Sequence, residues 1–445
     1  MKAIVVGVTA IAVLAGCSTS SSNAITYWYA PNTPDAKGVA DFLKYNVTPF
    51  QQQNPKVDLQ PVQRNVNTLN QQVQVALAAG RGPDIVSASG ISNQITYAKA
   101  GDLSDLTAYA AKNDWSSTLL PWANEVSKVD GKVVAMPQGY ETLMVYYNKT
   151  LFQKYGWTPP TTRAELETLA NEMEAKGITP FAAGNSDYPA GSEWLTTAFF
   201  NDVAGAAKVH DALTGKVSWT DPAFAQSMDL LKSYFDKGWF GGGVKQYFST
   251  TDPEKYTQLA SGKAGMYISG SWEFVSLPSY FTKSGQDFDW APLPSLAPGV
   301  PVTYPLSIGN VLSVNKATKN KAAAESYLNW NLKDTKTMWA QVAGTGADAM
   351  PVNIKASDIS SDVNPEIARE YLDLAKASET GNVGYTTWTS WGGEADQYIV
   401  DNTDKVINGS LSTTAFLQGL EAAYKGDVKK GDLPTIYATG KSISQ

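Results

Sequence analysis

Residues 131–152 read Gly-Lys-Val-Val-Ala-Met-Pro-Gln-Gly-Tyr-Glu-Thr-Leu-Met-Val-Tyr-Tyr-Asn-Lys-Thr-Leu-Phe. The carboxylate of Glu141 stands between Tyr140 and an apolar, β-rich run, which is a poor position for a freely solvated surface acid. On either side of this stretch, strand and helix signals alternate almost throughout, the pattern of an α/β chain. Ile25 to Ala30 reads as an opening strand, and Gly38 to Gln53 as helix up to Asn54-Pro55. Val57 to Val62 is the next strand. The run from Asn67 to Ala79 is a helix with Leu69, Val73 and Leu77 on one face, and Pro83-Asp84-Ile85-Val86 opens another strand. Thr162 and Glu165 form a capping box for the helix that follows. Asp221-Pro222 and Asp252-Pro253 each read as an N-cap with proline at the first helical position, the latter before a strand from Ala264 to Ile268. The first of these two helices buries Phe224, Met228, Leu231 and Phe235.

At 445 residues the chain is long enough for two or three domains. Its rarest residues exclude the most chemistry, for there is one cysteine, Cys17, and one histidine, His210. No disulfide framework, Cys/His zinc site or two-histidine metal centre can be assembled from them. Any acid–base chemistry built on histidine would run through His210 alone, which reads as an ordinary histidine in a surface loop before Thr214-Gly215-Lys216. A net charge of −7 argues against a nucleic-acid partner. Aromatics, by contrast, are plentiful, with 13 Trp, 22 Tyr and 14 Phe.

The amino terminus carries Lys2, a small-apolar run from Ala3 to Leu14, and then Leu14-Ala15-Gly16-Cys17. The run is shorter than the roughly 20 residues that a membrane-spanning helix takes, so it reads as a secretion signal, residues 1–16. Leu-Ala-Gly-Cys resembles a bacterial lipobox, in which cleavage precedes the cysteine and its thiol receives a diacylglycerol. Residues 17–24 then form a polar tether. The expected location is extracytoplasmic, at the surface of a bacterial membrane and held there by lipid on Cys17.

Several segments line up in order with a known family. They are Ile25-Thr26-Tyr27-Trp28-Tyr29, Gly82-Pro83-Asp84-Ile85-Val86, Gly131 to Pro137, Glu141 to Lys149 with Leu151-Phe152, Pro159-Pro160-Thr161-Thr162, and Gly262-Lys263-Ala264-Gly265-Met266-Tyr267-Ile268-Ser269-Gly270-Ser271-Trp272, with Pro351 after a Gly-rich loop. In this the chain resembles the family 1 extracellular solute-binding proteins of ABC importers, the maltodextrin-binding type. The resemblance implies the two-lobed periplasmic-binding-protein fold (type II), each lobe a mixed sheet flanked by helices, with a solute in the cleft between. Lobe one would comprise residues 25–138 plus about 309–345, and lobe two 139–308 plus about 346–445. The crossings would lie near Pro137 to Glu141, Ile308 to Ser313 and Gly344 to Pro351. It implies no cofactor and no metal, a monomer, and two partners: an oligosaccharide and the membrane subunits of an ABC permease.

A sugar offers apolar C–H faces and a rim of hydroxyls, so its site needs aromatic planes beside hydrogen-bonding side chains. By resemblance, Trp272 is the stacking tryptophan and Glu141, beside Tyr140, the acid that accepts sugar hydroxyls. The family also places a late aromatic near Trp388 and Trp391, of which one at most is expected to face the cleft. Trp194, after the loop bearing Asp187 and Tyr188, either closes the far end of the groove or belongs to the core. Lobe one would contribute Asn32, Arg64, Asn65, Ser89 and Asn93 from loops at the carboxyl ends of its strands, and the second crossing Gly309 and Asn310. Ala88 and Ile91 stand where the maltodextrin type carries an aromatic and an acid, which points to a related oligosaccharide and away from maltodextrin itself. Two other classes stay open on the sequence. One is a binding protein for a non-sugar solute such as a polyamine, whose site would want several acids around aromatics. The other is a secreted glycoside hydrolase, which needs only a carboxylate pair.

Overall fold

The computed structural model describes residues 23–31 and 35–438. Residues 1–16, Cys17 and Asn32 lie outside them. Among the described residues eleven strands occur in chain order: β1 Ala24–Tyr29, β2 Asp58–Gln63, β3 Ile85–Ser89, β4 Lys128–Val129, β5 Lys132–Val133, β6 Met136–Asn148, β7 Thr179–Phe181, β8 Ala264–Gly270, β9 Phe288–Ala291, β10 Tyr304–Val314 and β11 Val383–Tyr385. Nine of them join in the order β2-β1-β3-β10-β6-β8-β7, with β11 beside β10 and β9 beside β6, while β4 and β5 pair separately. β1 runs parallel to β2 and β3, and β10 runs antiparallel to β3 and β6.

Two long strands join two halves of this sheet. Along β10, Asn310–Val314 pair with β3, whereas Tyr304–Leu306 pair with β11. Along β6, Met136–Thr142 lie on β10, whereas Leu143–Tyr147 lie on β8. Each strand therefore leaves one half and enters the other without a break in the chain. The local causes of the elements are those expected from sequence. β1 alternates half-buried and buried residues, with Ile25, Tyr27 and Tyr29 inward, whereas β8 is buried at every position, as a strand covered on both faces should be. Helix Val66–Ala78 buries Leu69, Val73 and Leu77. The capping box of Thr162 and Glu165 opens helix Arg163–Ala175, and Asp221 caps helix Pro222–Asp236, which buries Phe224, Met228, Leu231 and Phe235.

Three expectations need correction. The stretch from 38 to 53 is three consecutive helical pieces, Ala36–Phe42, a wider π turn Leu43–Val47 and Thr48–Gln53. Helix Asp252–Ala260 is capped by Thr251 rather than Asp252, which is already its first helical residue, and Glu254 Oε2 accepts from the Thr251 amide and hydroxyl, each at 2.8 Å. His210 lies within helix Ala206–Leu213 rather than in a loop, since Val209, Ala212 and Leu213 bury one face of that segment, and its ring rests 6.0 Å from that of Tyr385. Among the described residues no helix is long and apolar enough to cross a membrane.

The capping box gives a simple check on the fold. Thr162→Ala removes a side chain that satisfies one orphan helix amide, and is expected to lower stability by about 1 kcal/mol. A urea titration reads this as an earlier midpoint, and an unchanged midpoint would show that the cap contributes nothing.

Candidate functional site

Trp272 owes its position to the end of β8. After Gly270 the chain turns into a short 3-10 segment, Ser271–Phe274, and the indole folds back over the strand end. A Cβ on Gly270 would lie 2.1 Å from Cζ3 of that ring, so glycine is required there by the close approach and not by its backbone angle. Trp272 begins a row of rings. Its centroid is 4.9 Å from that of Trp194 and 6.0 Å, edge to face, from that of Trp388. Trp194 in turn stacks on Tyr188 at 5.6 Å with an angle of 19° between planes. All four rings are half-buried, so each keeps surface available to a ligand.

The row ends on Glu141. The Trp388 indole N–H donates to Ser307 Oγ, and Ser307 Oγ donates to Glu141 Oε2 at 3.2 Å. Ser307 and Glu141 are register partners on β10 and β6. The Glu141 side chain, 8% exposed, lies flat on Gly309, where a Cβ would fall 1.7 Å from Oε1. Any other residue at 309 would displace the carboxylate. Trp388 is carried by the short helix Thr387–Ser390, whose Thr389 hydroxyl accepts from the Ile308 amide at 3.1 Å.

The first half of the sheet faces this row. Ser92 Oγ donates to the carbonyls of Trp391 at 2.8 Å and Trp388 at 3.3 Å. At the other end Asn67 Nδ2 donates to the Asp187 carbonyl at 3.2 Å, while Asp187 Oδ2 accepts from the Asp252 amide. Asn65 caps the helix that bears Asn67, and the Arg64 guanidinium lies 4.1 Å over the Trp28 ring. Ser89 and Asn310 are register partners, Asn310 Oδ1 accepts from Ser87 Oγ at 3.2 Å, and Asn93 Nδ2 donates to the Ser89 carbonyl. The structure thus brings Trp272, Trp388, Trp194, Tyr188, Glu141 and Gly309 together. Ser89, Asn93 and Asn310 lie where β3 meets β10, Asn65 opens the helix whose Asn67 meets Asp187, and Arg64 lies over Trp28.

Two candidates fall elsewhere. Trp391 is fully buried with its ring 5.2 Å from that of Trp219, because helix Gly393–Ile407 begins immediately after it and draws it into the core. Tyr140 precedes Glu141 on a strand, so alternation turns it to the opposite face. There it packs on Trp122 and Tyr371, and its hydroxyl meets Ser378 Oγ at 3.2 Å.

Several polar groups of the site were not singled out from sequence. Ser307 shows its role only once the register of β6 and β10 is known. Asp348, after the Gly-rich loop, accepts from Ser271 Oγ at 2.8 Å, and Glu193 accepts from Thr387 Oγ1. Burial pushes the Glu141 carboxyl well up, and the neighbouring Asp348 adds to this, against the pull of the Ser307 hydroxyl. Burial pushes Asp348 up to about 7, opposed by the Ser271 hydroxyl. Glu193 is likewise driven well up by burial and then by Asp396, and burial takes Asp396 to about 6. Among the described residues no group of three or more His, Cys, Asp or Glu is arranged to hold a metal ion.

Two sheet halves tied by shared strands, with an aromatic row on one and polar side chains of the other reaching it, define a two-lobed fold of the maltose-binding type. Residues 33–336 match the bacterial extracellular solute-binding protein family, and the chain belongs to that family. It is similar to the multiple sugar-binding protein of Streptococcus mutans serotype c, 25% identical over 384 residues that cover 83% of this chain and 86% of that protein. It is also 28% identical over 222 residues to a probable sugar-binding periplasmic protein of Brucella suis biovar 1. That match covers 48% of this chain and 50% of the relative, so the chain spans about half the length of such relatives. Among solved structures it is similar to a chitin oligosaccharide binding protein, with a TM-score of 0.76 at 19% identity over 91% of this chain and 98% of that one. The GacH receptor of Streptomyces glaucescens gives a TM-score of 0.72 at 21% identity over 92% and 98%. At these identities the structural likeness establishes the fold. The family is one of solute-binding proteins and not of enzymes.

The raised carboxyls set a sign for pH dependence. Unfolded, Asp348 titrates near 3.8, and folded at about 7, so between these values the unfolded chain holds fewer protons and this group's contribution to stability falls as pH rises. Asp348→Asn removes that contribution. Relative to the unsubstituted protein, the variant should gain stability between about pH 4 and pH 7. Urea unfolding at several pH values reads the difference, and one that stays constant or shrinks with pH would contradict the assignment.

Proposed function

We propose that this protein captures an oligosaccharide between its lobes by aromatic stacking and rim hydrogen bonds, and delivers it unchanged to an ABC permease. The observation that carries the reading is the row Tyr188, Trp194, Trp272, Trp388, closed at one end by Ser307 and Glu141. Flat apolar faces suit the C–H faces of sugar rings, and a buried carboxylate beside hydroxyls suits their rims. Glu141 and Gly309 belong to strands shared by the two halves, so a ligand bound there touches the crossing directly. Differential contacts in the closed state then shift the population toward closure, which reports occupancy to the permease.

Lobe one is residues 25–138 with about 309–345, and lobe two is 139–308 with about 346–445, limits supported by the change of partners along β6 and β10. The mature chain starts at Cys17, whose thioether-linked lipid holds a monomeric receptor outside the cytoplasm at the membrane surface. The sugar-binding names of the relatives support the ligand class, and so does a further relative, the diacetylchitobiose binding protein NgcE of Streptomyces coelicolor.

A thermal-shift screen of oligosaccharides, followed by calorimetry on the best of them, tests the reading. Trp272→Ala should weaken binding by about 2–4 kcal/mol, since a stacking anchor at the centre of a site behaves as a hot spot. Unchanged affinity would remove Trp272 from the site.

A further inference from the structure

Five carboxylates gather around the aromatic row, and capture of a neutral sugar does not explain their number. Glu141, Asp348 and Glu370 gather at one end. Asp348 accepts from Ser271, next to Trp272, and Glu370 is wholly buried beside Asp348. Glu193 and Asp396 form the second group. Glu193 is tied to Thr387, next to Trp388, and meets the carboxyl of buried Asp396. Among the described residues, none of the five forms an ion pair with a lysine, arginine or histidine. Lys255, whose ammonium lies 5.8 Å from the Trp194 ring, is already matched by Asp252 at 2.6 Å. Both groups act on one member of the row: the Tyr188 hydroxyl is pushed up by burial, then by Glu193, Asp396 and Glu141.

Burying carboxyls together without a cation is costly and holds them in the protonated form, a state that an arriving ammonium reverses by favouring the ionised carboxylate. A sugar hydroxyl supplies a hydrogen bond but no charge. An ammonium supplies both, and the faces of Trp and Tyr attract a cation through the same electrostatic sign as the carboxylates. Rings and acids thus favour the same kind of group.

We propose that the cleft selects an oligosaccharide carrying a free amino group, an amino sugar rather than a neutral or N-acylated one, whose ammonium is received beside Glu141 against the faces of Trp272 and Trp388. The proposal rests on the oligosaccharide-binding reading above and names the ligand's chemical class.

Calorimetry with the full chain and three oligomers of equal length, of glucosamine, N-acetylglucosamine and glucose, tests it at about pH 7, where an amine of ordinary basicity is charged and its arrival can ionise carboxyls held up at about 6 and 7. The glucosamine oligomer should bind at least about tenfold more tightly than either of the others. In Glu141→Gln the ratio should fall to about threefold or less, and Asp396→Asn should lower it part of the way, since that carboxylate acts from farther along the row. Equal or tighter binding of the acetylated or neutral oligomer overturns the proposal and leaves oligosaccharide capture standing. A preference untouched by both substitutions overturns the assignment to these acids. Binding of no saccharide in this set or in a wider panel overturns the underlying reading as well.

Discussion

One buried carboxylate lies where the two halves of the sheet are joined, and the site is organised around it. Glu141 rests on Gly309 of the neighbouring strand and accepts from Ser307 of that strand, so it is positioned by the crossing itself and not by a loop. The absence of a side chain at 309 is what makes this possible. Through Ser307 the same contact reaches the Trp388 indole N–H, and Trp388 holds the near end of the row of rings. A buried polar group of this kind costs stability unless it is matched, and here Ser307 supplies the match.

The aromatic row is assembled from parts distant in sequence. Trp272 comes from the end of β8, Tyr188 and Trp194 from the segment after β7, and Trp388 from the short helix after β11. Each is set by a local device: the missing Cβ at Gly270 for Trp272, the stack on Tyr188 for Trp194, and the Thr389 to Ile308 hydrogen bond for Trp388. The facing half of the sheet contributes polar rather than aromatic groups, with Asn67 and Ser92 reaching across to Asp187 and the 388–391 carbonyls.

Most of the fold was legible in the sequence because its signals are local. The face of Leu69, Val73 and Leu77, the Thr162–Glu165 capping box and the Asp221-Pro222 opening each act within a few residues. Among site residues, Trp272 and Glu141 stand out for the same reason, one just past a strand and glycine, the other beside an apolar strand. What could not be read depends on long-range register. Ser307 is one serine among many until β10 is laid against β6, and the choice between Trp388 and Trp391 turns on whether Trp219 is there to receive an indole. Tyr140 is an instance of alternation: next to Glu141 in sequence, it belongs to the opposite face. Nothing local in the sequence announces that packing will bury Asp348, Glu193 and Asp396.

The central claim is that the row from Tyr188 to Trp388 and the carboxylate of Glu141 form one surface that a sugar occupies. A crystal structure of the complex with an oligosaccharide that binds in solution tests this most directly. The account predicts a sugar ring lying on the Trp272 indole with a polar substituent on the Glu141 carboxylate, both lobes in contact with the ligand. A sugar bound away from these residues, with the four rings still packed on one another, would contradict it.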